Sequence, residues 1–183
     1  IMSSQEARFY LESFSGLDLI RRLDAGAASL GELEKLHEDM DAIAKAKPKD
    51  SRKQKANFLI MDIRFHLEIP RLAGCPQFER LLNRLLHSVR IHSLPIYQDY
   101  EDLEIVVGEH ATILEGLQQH NSILFVHGIK EHLDNATKRW LSQDDEALRP
   151  VTSRLNELWA AAQAKLPANQ DRPSKPTKRN RKK

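Results

Sequence analysis

Apolar residues recur every three or four positions along most of this chain, the spacing that gathers them on one face of an α-helix. The alternation of apolar and polar residues that marks a half-buried strand is absent. The pattern predicts seven helical stretches: Ser3–Leu23, Ser29–Ile43, Ser51–Leu72, Phe78–Val89, Glu101–Gln119, Asn121–Trp140 and Asp145–Leu166. The predicted fold class is therefore all-α, an antiparallel helical bundle of six to seven helices.

Two residues inside these stretches disfavour a regular helix. Gly16 weakens the first stretch because glycine lowers helix stability. Pro70 has no N–H to donate to the carbonyl of His66, so we expect a bend near the end of the third stretch.

Charge is distributed unevenly along the chain. The net charge is +2, but seven Lys or Arg and no acid lie in residues 172–183. Residues 1–170 carry 21 basic residues against 25 acidic ones, a net of −4, which is a poor match to nucleic acid. We expect a domain over residues 1–167 and a disordered basic tail over residues 168–183.

The length of the apolar runs and the number of cysteines indicate where the protein is located. No apolar run is long enough to cross a bilayer, and no secretory signal opens the chain. The single cysteine, Cys75, excludes an internal disulfide and fits a reducing cytoplasm. We therefore expect a cytoplasmic protein that does not bind membranes.

One carboxylate and three imidazoles form a candidate metal site. Asp62 and His66 are four residues apart and share a helix face. His110 and His132 lie eleven residues before and after Asn121, so a reversal there would bring them to the same height, about 16 Å from the turn at about 1.5 Å per residue. Such a ligand set suits zinc first, with nickel, manganese or iron as alternatives.

Four motifs in order carry a family resemblance. They are Arg8 with Leu11-Glu12, Asp62-Ile-Arg-Phe65-His66 followed by Ala73-Gly74, Glu109-His110-Ala-Thr-Ile113-Leu114, and His132-Leu133. In these motifs the chain resembles the FCD ligand-binding domain, the C-terminal effector domain of FadR-subfamily GntR transcriptional regulators. The resemblance covers nearly all of residues 5–142.

The resemblance implies a function and a set of roles. Asp62, His66, His110 and His132 match the family's metal ligands, and a small organic acid would bind beside the ion. Arg8 matches the first-helix arginine and is the candidate carboxylate clamp, since guanidinium binds carboxylate bidentately. Arg90 and His92 are further candidates for the effector cavity. The family also implies a homodimer that binds DNA only through an N-terminal winged helix-turn-helix, which has no counterpart in this chain.

The chain departs from the family pattern at three positions. Cys75 and Asn121 replace an asparagine and an acidic residue, and both changes are conservative for helix capping. Phe125 replaces a small residue, so we expect it to narrow the effector cavity.

Other interpretations remain open. The four residues could instead form a buried Asp–imidazolium pairing, and Arg8 could be a surface residue. A metal-dependent hydrolase is a second hypothesis, although Glu109 points about 100° from His110 and no general base is evident. A structural bundle with a vestigial site is a third. His37 and His120 are expected at the surface, and His127 is expected to face away from His132 because five residues turn the helix by about 140°.

Overall fold

Six helices make up the described part of this computed structural model, which comprises residues 2–46, 51–93 and 103–142. Side chains are described for residues 4–46, 53–87 and 103–139. The helices, α1 to α6 in chain order, are Met2–Asp24, Gly31–Lys45, Ser51–Leu72, Pro76–Ser93, Leu103–Gln118 and Ser122–Ser142. Because these residues contain no strand, the all-α prediction is confirmed. The predicted helix Asp145–Leu166 and the predicted tail lie outside the described residues.

The first helix contacts four of the other five described helices. α1 packs against α3, α4, α5 and α6, while α2 packs on α3 and α5. The core between them consists of fully buried apolar side chains, among them Leu19, Leu33, Phe58, Phe65, Ile113, Leu117 and Ile129. Burying each such side chain contributes about 1.5–3 kcal/mol, so this core stabilises the frame that carries the polar residues described below. Every helix in the described ranges is too short or too polar to cross a bilayer.

A tight turn sets α5 and α6 antiparallel. His120, two residues after the end of α5, lies in the left-handed region with a φ of 52°, and the N–H of Asn121 donates to the carbonyl of Gly116 at 2.8 Å. The Asn121 side chain then accepts from the N–H groups of Ile123 and Leu124, both at 3.1 Å. This is N-capping of α6 by Asn121, as predicted. The reversal brings His110 and His132 to the same level of the bundle.

The third helix continues past its proline. α3 extends to Leu72 although Pro70 is inside it. Two residues after its end, Gly74 has a φ of 73° and lies in the left-handed region, and the N–H of Cys75 donates to the carbonyl of Pro70 at 2.9 Å. The proline therefore lies one turn beyond His66 without ending the helix there.

Gly16 has a packing role that its helix propensity does not reveal. α1 is continuous through Gly16, and a Cβ at this position would overlap the ring of Phe125. On the other side, the backbone of Phe125 lies close against Gly116. Phe125 is fully buried between these two glycines, in the notch that each of them leaves. Its effect on effector size stays a prediction.

Candidate functional site

Four polar side chains from three helices meet in the interior of the bundle. Asp62 and His66 come from α3, His110 from α5 and His132 from α6, and we call them the His/Asp cluster. One potential ligand atom from each lies within 4.8 Å of the others, and all four residues are buried. His66 Nε2 lies 3.1 Å from His132 Nε2 and 3.2 Å from His110 Nε2. The three imidazoles thus present the same nitrogen to one point.

The Nδ1 of each imidazole, on the side of the ring away from the cluster centre, makes a hydrogen bond. His66 Nδ1 lies 2.7 Å from Glu12 Oε2, and His132 Nδ1 lies 2.9 Å from Glu109 Oε2. His110 Nδ1 lies 2.8 Å from the carbonyl oxygen of Val106, one turn earlier on α5. A carboxylate or carbonyl oxygen can only accept, so each Nδ1 donates. In the neutral ring the proton is then on Nδ1, and the Nε2 lone pair points into the cluster.

Asp62 contributes an oxygen that has no hydrogen bond. Its Oδ1 lies 3.3 Å from His110 Nε2 and 3.9 Å from His66 Nε2, but the geometry makes no hydrogen bond with either nitrogen. Such an orphaned buried oxygen costs about 1–3 kcal/mol, more when it is charged. With all three rings in the neutral form, the centre of the cluster contains three nitrogen lone pairs and the Asp62 Oδ1 atom, which has no hydrogen bond.

The pKa values of the buried groups agree with ionised carboxylates and an uncharged His132. Burial raises the pKa of Glu12, but the electrostatic attraction to the His66 ring and the Arg8 guanidinium and the hydrogen bond from His66 outweigh it and lower the pKa to about 2. Burial also raises the pKa of Asp62, and the three imidazoles outweigh it and hold the pKa below its usual range. Burial lowers the pKa of His132 to about 3, against the hydrogen bond to Glu109. At neutral pH the carboxylates are ionised and His132 is uncharged.

These residues fit a divalent transition metal. Glu12 and Glu109 are each paired with an arginine, which leaves the Asp62 carboxylate as the excess negative charge among the described groups of the cluster. One carboxylate oxygen and three imidazole nitrogens are donors that zinc and its neighbours accept. A cation at this point would also satisfy the orphaned Asp62 oxygen. The cluster can therefore hold a metal ion.

Arg8 is buried, so its interpretation as a surface residue is wrong. The residue is 3% exposed, and its Nε donates to Glu12 Oε1 at 3.0 Å. Its Nη1 donates to the side chain of Gln5 at 3.2 Å, while its Nη2 is buried without a hydrogen-bond partner. A buried N–H group that lacks an acceptor is suited to bind an anionic oxygen.

Sequence reasoning missed the roles of two carboxylates. In the sequence Glu12 is only part of a motif, and Glu109 points about 100° away from His110 on α5. Glu109 instead reaches across to α6, where it binds His132 and accepts both Nη groups of Arg139, at 2.6 and 2.9 Å. The i and i+4 spacing of Arg8 and Glu12 was a signal for their ion pair, but no local spacing could connect either carboxylate to a histidine on another helix.

The side chains of Arg90 and His92 lie outside the described residues, and their place in the effector cavity stays a prediction. His37 is half-buried, and its Nε2 lies 3.1 Å from the carbonyl oxygen of Val107, so the expectation that it is exposed is wrong. His120 is exposed, as expected, and pairs with Asp24.

Fold and cluster together define a helical-bundle domain with a buried site that can hold a metal ion. The FCD domain family matches residues 4–135, which is more than half of the chain, and the chain belongs to this family. FCD domains are regulatory effector domains of GntR-family transcription factors. No curated protein and no solved structure matches the chain. The matched residues include the whole His/Asp cluster and Arg8.

Proposed function

We propose that this chain is the metal-containing, small-carboxylate-sensing effector domain of a FadR-subfamily GntR regulator. Asp62, His66, His110 and His132 would hold the ion, with zinc the first candidate and nickel, manganese or iron the alternatives. The regulator would act in the cytoplasm as a homodimer and bind DNA through an attached winged helix-turn-helix. The observation that carries the proposal is the convergence of three inward-facing Nε2 lone pairs on the orphaned Asp62 oxygen.

The effector would be a small organic acid held close to the ion. The metal supplies positive charge that orients an anionic oxygen when it is bound. The buried Nη2 of Arg8 offers a second positive donor for the same kind of group. Binding can regulate DNA affinity only if the acid favours one arrangement of the domain over another.

The contacts of the two buried carboxylates argue against a hydrolase. A metal-dependent hydrolase needs a carboxylate or imidazole that is free to take a proton from water. Glu12 and Glu109 are each bound to an arginine and a histidine, and the pKa of each is lowered to about 2. Neither is therefore poised to act as a general base near neutral pH.

Metal analysis of purified protein tests the proposal. His110→Ala should abolish stoichiometric metal and the rise in melting temperature on adding zinc, because it removes one of the four proposed ligands. His127→Ala is the matched control, since His127 is exposed and pairs only with Glu131 among the contacts described. Metal content unchanged by His110→Ala would refute the metal assignment.

The effector role of Arg8 has its own test. Arg8→Ala should weaken binding of small carboxylates while leaving the metal stoichiometry intact, because Arg8 does not contact the ion-facing atoms. Calorimetric titration of metal-loaded protein with a panel of small organic acids would measure the loss. Equal affinity of the variant and the unmodified protein for every acid that binds would exclude Arg8 from the effector site.

A further inference from the structure

We propose that Glu12 is a positioning residue that links Arg8 to His66, so that an anion at Arg8 and a metal ion at His66 strengthen each other's binding. This inference rests on the proposed function, because it takes His66 as a metal ligand and Arg8 as an anion-binding group. It adds that the affinities for the anion and for the metal ion are coupled through Glu12, without direct contact between the anion and the ion.

The link is a continuous chain of two short hydrogen bonds in the core. Arg8 Nε donates to Glu12 Oε1 at 3.0 Å, and His66 Nδ1 donates to Glu12 Oε2 at 2.7 Å. The side chains of Glu12 and His66 are completely buried, and that of Arg8 is 4% exposed. Since water does not screen these contacts, a change of charge at one end is felt at the other.

The two ends of the chain are the two sites that the proposed function requires. At the α1 end, Arg8 Nη2 has no hydrogen-bond partner and can take an anionic oxygen. At the α3 end, His66 Nε2 points to His110 and His132 in the cluster. Glu12 lies between them, with one carboxylate oxygen committed to each side.

A shared carboxylate couples its two partners electrostatically. An anion that neutralises Arg8 weakens the pull of the guanidinium on Glu12, so Oε2 becomes a stronger acceptor for the His66 N–H. A stronger acceptor at Nδ1 makes His66 Nε2 a better metal donor. By linkage, metal binding must then strengthen the anion site by the same factor.

Glu109 provides an internal comparison. It also accepts from a cluster histidine and an arginine, but both of its oxygens are bound by Arg139, and Oε2 is shared with His132. Asn135 donates to its Oε1 as well, at 3.1 Å. Glu109 thus orients His132 through a contact on the other side of the cluster, and it has no contact with Arg8.

The test measures zinc affinity of the full chain by chelator competition, with and without excess acetate as the probe anion. In the unmodified protein, acetate should tighten zinc binding by about fivefold or more. Glu12→Gln should still bind zinc but show an acetate effect below about twofold. Glu109→Gln should bind zinc more weakly and keep the acetate effect of the unmodified protein.

A spectroscopic measurement separates coupling from a merely structural role. In nitrogen-15 imidazole spectra of the zinc-loaded protein, acetate should shift the Nδ1–H signal of His66 more than that of His132. Glu12→Gln should abolish this difference. If that variant does not fold, Arg8→Met tests the link from its other end, because zinc affinity and the His66 signal should then be insensitive to acetate.

The possible failures are distinguishable. A full acetate effect in Glu12→Gln, or no acetate effect in the unmodified protein, would overturn the link while leaving the metal site in place. Unmodified protein that binds no zinc, nickel, manganese or iron would instead refute the proposed function itself.

Discussion

At the scale of single residues, the three imidazoles of the His/Asp cluster differ in the acceptor that binds their Nδ1–H group. Two rings donate to carboxylates, those of Glu12 and Glu109, and His110 donates to the backbone carbonyl of Val106. A carboxylate acceptor makes a ring more electron-rich than a neutral carbonyl does. The three nitrogens are therefore unequal donors, with His110 expected to be the weakest.

The lowered pKa of His132 predicts a pH dependence of stability for metal-free protein. The pKa of this ring falls from 6.5 to about 3 on folding, because burial disfavours the charged form. The unfolded chain then binds the extra proton between these values, so the stabilising contribution is complete above about pH 6.5 and is lost as the pH falls. The free energy of unfolding should decrease by up to about 1.4 kcal/mol per pH unit from this group.

Urea unfolding of chelator-treated protein between pH 7 and pH 5 measures this slope. His132→Asn should flatten it, since asparagine does not titrate. Lowering the pH below 4.5 adds the loss from Glu12 and Glu109, whose pKa values are about 2 in the folded protein. A slope that His132→Asn leaves unchanged would show that another group takes up the proton.

At the scale of the helices, close approach depends on small residues at specific positions. The ring of Phe125 on α6 enters the notch at Gly16 of α1, and its backbone lies against Gly116 of α5. This places α6 close enough to α1 and α5 for His132 to reach the cluster. Helix spacing and site geometry are therefore coupled through Phe125.

Gly16→Ala should destabilise the domain by about 1–3 kcal/mol. The added methyl group overlaps the Phe125 ring, and this cost exceeds the gain in helix propensity. Gly108→Ala is the matched control, because a Cβ there meets nothing within 4 Å, and it should stabilise α5 by about 0.5–1 kcal/mol. Chemical denaturation of both variants decides the matter.

A compensating change sharpens this prediction. Phe125→Leu should recover part of the stability lost in Gly16→Ala, because the smaller side chain frees the notch. Additive losses in the double variant would mean that the two residues do not share this space.

At the scale of the whole molecule, the net charge differs between residues 1–170, which are acidic, and residues 172–183, which are strongly basic. The FCD match ends at residue 135, and the core and the His/Asp cluster of the described residues lie within the matched range 4–135. Removing residues 168–183 should therefore leave the melting temperature nearly unchanged. A fall of many degrees in a thermal scan would show that this segment contributes to the fold.

By itself the sequence determined the six described helices in outline, the N-cap of α6 and the helix face that Asp62 and His66 share. These features arise from local periodicity and short spacings, which residues set within a few positions of one another. The turn at Asn121 allowed a further prediction for His110 and His132. Both are eleven residues from the turn, and residues equally far from a turn lie at the same height on two antiparallel helices.

Only the tertiary structure decided which groups accept the hydrogen bonds from the Nδ1 atoms of the imidazoles. That Glu12 contacts His66 depends on how α1 packs against α3, and that Glu109 contacts His132 depends on how α6 lies on α5. The burial of Arg8 and the notch at Gly16 arise in the same way, from interfaces between distant segments. Helical periodicity says which face of a helix is buried, but it does not say which partner that face will meet.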